Sequence, residues 1–457
     1  ELDNGDVLFG GSFSTIDGSP VRRLARLQGS TWSQLGGGVE GYVSELVPAP
    51  NGDVYAVGSI SAAGGIAVNN VARWDGTGWS PVGGGTDRAV SAAAVLPNGD
   101  LVVVGYFTMA GGVPVSRVAR WDGIAWHPLG TGIGSSAFAS VQDAAVLPNG
   151  DLVVTGDFGL AGGVAAHNIA RWDGASWWPF GAGLDRGGTG LGVRPNGDLL
   201  VGGYFATADT VAAQCVAVWN GTTFSPLGAG VGSGGGNHVR TFVTLPNGDL
   251  LVGGDFFAAG GVTANNIARW NGTGWTAFGT GADGDVQALA LLRSGTLAVG
   301  GTFLSVDGDV STFHGWLGTT CPPSTSVVPT GCVGPVGPVV LAAATAPFVG
   351  GRFDTTATGL ANGALALAIV GLGQQSIPLA QLHPAGLPGC DLLSSTEAVR
   401  LLLPSAGTVT NSLAIPNDLG LVGVQLVHQF VQAELDPQGG VVSLSSSNAL
   451  RFQVGAF

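Results

Sequence analysis

The chain has 457 residues, a formal net charge of −14, and no lysine among its 16 basic residues. A surface of that sign repels the phosphates of nucleic acids and of anionic lipids, so we expect neither as a partner. The sequence also contains no run of about 20 apolar residues, which excludes insertion into a membrane by a helix.

Glycine accounts for 81 residues and apolar residues for 45% of the chain. The glycines follow no three-residue period, so the composition indicates a folded all-β protein with many tight turns, not collagen or a disordered chain. The length favours two domains over one.

A short turn motif recurs along the first two-thirds of the chain. Six Asn-Gly-Asp strings start at Asn4, Asn51, Asn98, Asn149, Asn196 and Asn247. A degraded seventh copy starts at Ser294, and consecutive copies are 47 or 51 residues apart. A period near 50 residues that contains several short apolar runs is typical of propellers and solenoids.

One repeat, residues 90–130, contains four predicted strands, which we name a to d. Strand a is small and apolar, and an Asn-Gly turn at Asn98 joins it to the continuously apolar strand b (Leu101–Gly105). Strand c contains Ala119-Arg120-Trp121, and strand d starts at Trp126. Four antiparallel strands per unit predict a seven-bladed β-propeller over residues 1–318, in which the first and last blades are incomplete.

The repeat also resembles a known family. Gly-Gly-x-Phe, Ala-Gly-Gly-Val (161–164), Ala-Arg-Trp-Asp-Gly (170–174) and the aromatic residue of strand d are similar to kelch-like propeller repeats of secreted bacterial proteins. The layout resembles large planctomycete-type proteins in which such repeats precede a cysteine-containing β-rich module. This resemblance implies a secreted or cell-envelope protein and implies nothing specific about an activity.

Beyond the repeats we expect a Pro/Ser-rich linker at 319–338 and a β-sandwich at 339–457, because short apolar runs alternate there with turn signals. Cys332 and Cys390 are candidates for a disulfide that joins the first strand of the sandwich to a middle one, and Cys321–Cys332 is the alternative. Cys215 is expected to be a buried free thiol in strand c of the fifth repeat.

Variation between repeats suggests where a ligand could bind. The b–c and d–a loops share one rim, which holds both four-residue insertions, near 134–138 and 232–238. Eight residues after each turn Asn, polar residues of changing identity form a predicted ring: Ser12, Ser59, Tyr106, Asp157, Tyr204, Asp255 and Thr302. We select Tyr106, Asp157, Tyr204, Asp255 and Thr302 as candidates for holding a sugar or a cation. The alternative is that they satisfy loop backbone groups.

Two acidic pairs could bind calcium, the only cofactor that the sequence suggests. They are Asp283 with Asp285 and Asp307 with Asp309, although neither pair belongs to a twelve-residue calcium loop. Their alternative role is to hold loop backbone groups.

Catalytic motifs are missing from the sequence. Galactose-oxidase-like copper enzymes combine a kelch propeller with a β-sandwich, but they need a Cys–Tyr crosslink, a second tyrosine and two histidines. The six histidines here show no paired spacing, and no nucleophile elbow or zinc helix occurs. We therefore expect a non-catalytic, secreted or cell-surface protein that either binds a glycan or a protein or serves as a structural scaffold built on the propeller. The alternatives are a subunit of a filament or coat joined by strand exchange at the incomplete blades, and a carbohydrate-active or copper-oxidase-like enzyme.

Overall fold

The computed structural model describes residues 1–134, 138–232, 236–307, 309–310, 314–317, 324–345, 347, 352–361, 363–415, 421 and 424–454. The chain divides into two compact units. The first contains Glu1–Thr244, Leu250–Ala290 and Ala298–Gly315, and the second contains Trp316–Phe457 with the turn segments Leu245–Asp249 and Leu291–Leu297. Within the described part of the chain, no helix is long and apolar enough to cross a membrane.

The first unit contains seven successive antiparallel sheets, one for each repeat. Sheets 2 to 6 have the strand order a-b-c-d, whereas the described strands of sheet 1 are b, c and d and those of sheet 7 are a, b and c. The a strands are Val39–Pro48, Val90–Val95, Ser140–Val146, Gly188–Val193, His238–Thr244 and Val286–Leu291. The b strands are Val7–Gly10, Val54–Ala63, Leu101–Gly105, Leu152–Asp157, Leu199–Gly203, Leu250–Asp255 and Leu297–Gly301.

The remaining strands of this unit are shorter. The c strands are Leu24–Gln28, Val71–Trp74, Val118–Trp121, Ile169–Trp172, Val216–Trp219, Ile267–Trp270 and His314–Leu317. The d strands are Thr31–Gln34, Trp79–Pro81, Trp126–Pro128, Trp177–Pro179, Phe224–Pro226 and Trp275–Ala277. Small hairpins fill the b–c loops: Thr15–Ile16 with Ser19–Pro20, Met109–Ala110 with Val113–Pro114, Leu160–Ala161 with Val164–Ala165, Thr207–Ala208 with Val211–Ala212, Ala258–Ala259 with Val262–Thr263, and Ser305–Val306 with Asp309–Val310. In sheet 2, Ile66–Ala67 pairs with the end of strand b.

The Asn-Gly-Asp turns are held by side chains as well as by backbone. In sheet 4, Asn149 Nδ2 donates to Asp151 Oδ2 at 2.8 Å, and the Asp151 amide donates to Asn149 Oδ1 at 3.1 Å. Gly150 between them has a φ of 90°, which other residues seldom adopt. The buried Asp151 carboxylate also accepts from Arg171 Nη1 of strand c at 2.8 Å. The same ion pair joins Arg26 to Asp6, Arg73 to Asp53 and Arg120 to Asp100, so the recurring arginine of strand c has a structural role.

Aromatic residues tie neighbouring sheets together. The strand d indoles of Trp126, Trp177 and Trp275 donate Nε1–H to the carbonyls of Val82, Leu129 and Leu227, which follow strand d of the preceding sheet, at 3.2, 2.9 and 2.9 Å. Sheets 1 and 7 also touch, because the His314 ring lies edge-on to Phe9 and Trp32, with centroids 6.1 and 5.7 Å apart. Each sheet therefore packs on its neighbour through directed contacts.

One residue before strand c has a positive φ in each of the first six repeats. These residues are Arg23, Asn70, Arg117, Asn168, Cys215 and Asn266. The asparagines donate Nδ2–H to a carbonyl at the following d–a connection, as Asn168 does to Leu184 at 2.8 Å. Cys215 is buried and free as expected, but it precedes strand c, and its Sγ lies 3.3 Å from the carbonyl of Asn237.

The second unit contains two larger sheets and a two-stranded one. The five-stranded sheet has the order Ser324–Val328, Val441–Gln453, Gln425–Leu435, Leu365–Gly371, Ala398–Leu402. The three-stranded sheet has the order Val340–Ala343, Arg352–Thr358, Thr408–Ala414, and Gln374–Pro378 pairs with Asp391–Ser394. Leu379–Leu382 is the one α-helix among the described residues. Both larger sheets contribute to one core, in which Phe353 stacks on Phe452 at 4.3 Å.

Two expectations for this region can be compared with the structure. The predicted linker at 319–338 contains the strand Ser324–Val328, which pairs with Val441–Gln453. Its Ser/Thr/Val residues suit an edge strand, and the prolines before it obscured that signal. Cys332 and Cys390 form a disulfide with a Cα–Cα distance of 4.2 Å, while Cys321 lies outside the described residues.

Candidate functional site

All seven sheets of the first unit contribute to one cavity of about 960 Å³, which we name the inner cavity. The a strands of sheets 2 to 7 form most of its wall, together with strand b of sheet 1 (Val7–Gly10). Seven residues before each turn Asn (or Ser294), every a strand places a polar residue on this wall: Ser44, Ser91, Gln142, Thr189, Arg240 and Gln287. The cavity therefore has a polar band that is suited to a hydrogen-bonding ligand.

In sheets 2, 4 and 6, the next residue along strand a joins its sheet to the following one. Glu45 of sheet 2 accepts from the Ala93 amide of sheet 3 at 2.7 Å. Asp143 of sheet 4 accepts from the Leu191 amide of sheet 5 at 2.7 Å. Thr241 of sheet 6 accepts from the Leu289 amide of sheet 7 at 3.2 Å. Register shifts next to these three residues turn their side chains toward the neighbouring sheet.

We name these three inter-sheet hydrogen bonds the clasps, and two of them are accepted by carboxyl groups, those of Glu45 and Asp143. Burial raises the pKa of Glu45 to about 8, and the nearby Asp143 carboxylate adds to the rise by charge repulsion. Burial likewise raises the pKa of Asp143 to about 7, although the amides of Leu191 and Ala144 oppose the shift. Both groups therefore keep a proton to a higher pH than a solvent-exposed carboxyl group does.

The residues eight positions after each turn Asn were predicted to form one ring, but the structure places them in two groups. Tyr106 and Thr302 line the inner cavity, as Ser59 and Ser12 do. Tyr106 is exposed, and its hydroxyl accepts from Gln142 Nε2 at 2.9 Å. Asp157 and Asp255 end their own b strands, Tyr204 directly follows its own, and none of the three is among the described lining residues.

Tyr204 and Asp255 instead lie near a buried histidine. His238 is 4% exposed, pairs with Asp255 across the a–b ladder, and stacks on Tyr204 with ring centroids 4.6 Å apart. Its Nε2 lies 3.9 Å from Asp285 Oδ1, and Asp285 Oδ2 lies 3.3 Å from Arg240 Nε. Burial, aided by the charge of Arg240, lowers the pKa of His238, so the ring stays neutral.

Sequence reasoning missed Glu45, Asp143, Arg240 and His238. For Glu45, Asp143 and Arg240 the signal was available, because the residues six and seven positions before each turn Asn vary between repeats as much as those eight positions after it. Strand a was described from Val90–Val95, which contains only small and apolar residues. The acidic and basic residues at the same positions of other repeats were therefore overlooked.

The acidic pairs considered for calcium are engaged elsewhere. Asp283 Oδ1 accepts from the amides of Leu304 and Ser305, and Asp307 Oδ1 accepts from the Thr280 amide. Asp285 faces Arg240, and the side chain of Asp309 lies outside the described ones. In the described part of the chain, no group of three or more His, Cys, Asp or Glu residues could hold a metal ion, so the calcium hypothesis gains no support.

The sequence matches one family model in three segments. This family is described as a domain of unknown function (DUF5122) beta-propeller, and the matched residues are 3–30, 96–121 and 245–274. Each segment runs from the turn motif toward strand c of repeats 1, 3 and 6. The match supports a β-propeller in the repeat region of this all-β chain. No curated protein matches the sequence.

Solved structures resemble the chain only distantly. A protein provisionally assigned as a gluconolactonase shares 12% identity, with 60% of this chain and 87% of that one covered and a TM-score of 0.36. The WD40 beta-propeller domain of Doa1 shares 13%, covering 57% and 90%, with a TM-score of 0.32. An exo-beta-1,3-galactanase from Phanerochaete chrysosporium shares 10%, covering 98% and 100%, with a TM-score of 0.26.

Proposed function

We propose that this chain is a non-catalytic binding protein, secreted or held at the cell surface. In this proposal a seven-bladed β-propeller binds a carbohydrate at the mouth of the inner cavity, and a C-terminal β-sandwich follows it. The seven successive sheets and the contacts of His314 with Phe9 and Trp32 support a closed ring of blades. The Cys332–Cys390 disulfide supports an oxidising, extracellular compartment.

The distribution of tyrosine carries the proposal. The chain has four tyrosines, and Tyr42, Tyr106 and Tyr204 are 42%, 44% and 39% exposed, whereas Tyr55 is buried. All three exposed tyrosines lie where strands a and b end at the b–c loop side: Tyr42 pairs with Ser59, and Tyr106 and Tyr204 follow strand b. A tyrosine offers an apolar ring face together with a hydroxyl, and a sugar needs both kinds of contact.

The cavity wall that Tyr42 and Tyr106 share favours a neutral, hydroxyl-rich ligand. Gln142, Thr189 and Gln287 supply amide and hydroxyl groups, and Gln142 already contacts the Tyr106 hydroxyl. The two clasp carboxyl groups each accept from a backbone amide of the next sheet, so one role of these groups is to join sheets.

The test is a glycan array followed by calorimetry with the selected sugar, on the native protein and on Tyr106→Ala and Tyr204→Ala. We expect each variant to weaken binding by about tenfold, which corresponds to about 1.4 kcal/mol. The control is Trp178→Ala, which removes an equally exposed aromatic residue from strand d. Equal affinity in all variants, no glycan bound, or conversion of the sugar would overturn the proposal.

A further inference from the structure

Asn-Gly sequences occur in two kinds of turn within the repeats. Six of them lie in the a–b turns and begin at Asn4, Asn51, Asn98, Asn149, Asn196 and Asn247. Two lie in the c–d turns and begin at Asn220 and Asn271, where repeats 2, 3 and 4 have Asp75, Asp122 and Asp173. The backbone nitrogen of a glycine can attack the side-chain Cγ of a preceding asparagine, because glycine has no side chain to hinder the approach.

The a–b turns restrain both groups that would take part in this attack. In sheet 4, the Gly150 amide donates to the Leu147 carbonyl at 2.8 Å, and Asn149 Nδ2 donates to Asp151 Oδ2 at 2.8 Å. In the other five copies the glycine amide makes the same bond, to the carbonyl three residues before it, at 2.8 or 2.9 Å. The nitrogen could attack only after this hydrogen bond of the turn had been broken.

The c–d turn of repeat 6 holds its asparagine in a different way. Asn271 Oδ1 accepts from the amide and the hydroxyl of Thr273 and from the amide of Gly274, at 3.0, 2.9 and 2.9 Å. These donors polarise the side-chain carbonyl and would stabilise the negative charge that its oxygen gains during an attack on Cγ. Among the described residues the Gly272 amide donates no hydrogen bond, so its nitrogen is available for the attack.

The c–d turn of repeat 5 has the same arrangement. Asn220 Oδ1 accepts from the amide and the hydroxyl of Thr222 and from the amide of Thr223, at 3.0, 2.9 and 2.9 Å. Within the described part of the chain, the Gly221 amide also donates no hydrogen bond. Asn220 and Asn271 are both exposed, so water can reach them.

We propose that Asn220 and Asn271 are modification sites that deamidate spontaneously on the folded protein, whereas the asparagines of the a–b turns are protected. The glycine amide gives its proton to solvent, and its nitrogen forms a bond to Cγ. The Cγ–Nδ2 bond breaks, Nδ2 leaves as ammonia with a proton from solvent, and a succinimide ring remains. Water then opens the ring at one of its two carbonyls, which restores the glycine amide and yields aspartate or isoaspartate.

The turn is suited to the aspartate product. Repeat 2 has Trp-Asp-Gly-Thr-Gly-Trp at 74–79 and repeat 6 has Trp-Asn-Gly-Thr-Gly-Trp at 270–275, so the two turns differ in this residue alone. Asp75 Oδ1 accepts from the Thr77 hydroxyl, the Thr77 amide and the Gly78 amide, which together lower the pKa of Asp75 to about 2. The turn therefore favours a carboxylate, and deamidation of Asn271 gives the residue that repeat 2 already has.

The test follows the native full chain during prolonged incubation in mildly alkaline water enriched in oxygen-18. Digestion after arginine and tandem mass spectrometry then measure the conversion of each Asn-Gly site, and the incorporated isotope shows that hydrolysis occurred during the incubation. We expect Asn220 and Asn271 to convert at least about tenfold faster than the six a–b asparagines, because no glycine hydrogen bond has to be broken there. In the chain unfolded by urea, which is the control, all eight sites should convert at similar rates.

A matched variant tests the role of the turn itself. Thr273→Val removes one donor from Asn271 Oδ1 and keeps the shape of the exposed side chain, so it should slow conversion at Asn271 and leave conversion at Asn220 unchanged. Four results overturn the proposal: equal rates in the two kinds of turn of the folded chain, no conversion at Asn220 and Asn271, isoaspartate as the sole product there, or an unchanged rate at Asn271 in Thr273→Val.

Discussion

The two rims of the first unit differ in how far their residues are the same in all repeats. At the rim of the a–b and c–d turns, the same Asn-Gly-Asp geometry recurs, and the carboxylates of Asp6, Asp53, Asp100 and Asp151 each pair with an arginine of strand c. At the rim of the b–c and d–a loops, the equivalent strand ends carry Tyr106, Asp157, Tyr204 and Asp255. Repetition at the turn rim therefore marks residues that hold each sheet together. Variation has two meanings: at the loop rim it marks the residues that we propose for ligand contacts, whereas Glu45, Asp143 and Thr241 vary between repeats and still join neighbouring sheets.

This contrast predicts how mutations divide between stability and binding. A residue that is shared by all repeats should cost stability when it is changed, wherever it lies. A residue that varies at the loop rim should cost little stability, even when it is adjacent to a shared one. The four predictions below run from the largest expected effect to the smallest.

The largest effect is expected at the phenylalanine that follows the variable rim residue in every repeat except the second, which has Ile60 there. Phe205 is fully buried next to the exposed Tyr204, and Phe107, Phe256 and Phe303 are equally buried in other repeats. Phe205→Ala should destabilise the protein by about 3–5 kcal/mol, because it removes a large apolar side chain and leaves a cavity. Urea unfolding of Phe205→Ala and Tyr204→Ala measures the contrast. Similar losses in the two variants would contradict the division between shared and variable residues.

The next effect concerns the residues with positive φ. Asn168 has a φ of 65°, donates to the Leu184 carbonyl at 2.8 Å and accepts from the Phe158 amide at 3.1 Å. Asn168→Ala loses both bonds and is strained in this conformation, so we expect a loss of about 2–3 kcal/mol. Asn168→Gly loses the same bonds without the strain, so it should be more stable than the alanine variant by about 1 kcal/mol. Thermal and urea unfolding distinguish the two variants, and equal stability would show that strain is unimportant here.

The sequence predicted the features that recur in every repeat, but it did not predict the contacts that occur in only some of them. The periodic turns and apolar runs predicted the four-stranded units correctly, because turn chemistry and strand patterning are local. The clasps of Glu45 and Asp143 escaped prediction because they depend on which side chains of adjacent sheets face each other. The strand Ser324–Val328 escaped because its partner, Val441–Gln453, lies more than a hundred residues away.

The clasps should make stability depend on pH. The raised pKa values of Glu45 and Asp143, about 8 and about 7, mean that the folded protein holds protons which the unfolded chain releases near pH 4. Their contribution is fully present below about pH 4 and is lost as pH rises toward 8. At about 1.4 kcal/mol per pH unit for each retained proton, we expect a decrease of a few kcal/mol between pH 5 and pH 8.

A double variant isolates this effect. Glu45→Gln with Asp143→Asn keeps an oxygen acceptor for the amides of Ala93 and Leu191 but removes both titrations. Its stability should be nearly constant from pH 5 to pH 8 in urea unfolding. A double variant that retains the pH dependence of the native protein would show that other groups are responsible.

The smallest effects come from two aspartates at opposite ends of strand b in sheet 4. Asp151 is buried at the turn rim and pairs with Arg171 at 2.8 Å, whereas Asp157 is exposed at the loop rim and ends the strand. Asp151→Asn weakens a charge-assisted contact and should cost about 1–2 kcal/mol, while Asp157→Asn should stay within about 0.5 kcal/mol. Both variants carry the same substitution in the same strand, so they differ only in the rim at which the residue lies. Their urea unfolding midpoints therefore compare the two rims directly. If Asp157→Asn costs as much as Asp151→Asn, the loop rim is also structural, and the variable residues there hold loop backbone groups instead of a ligand.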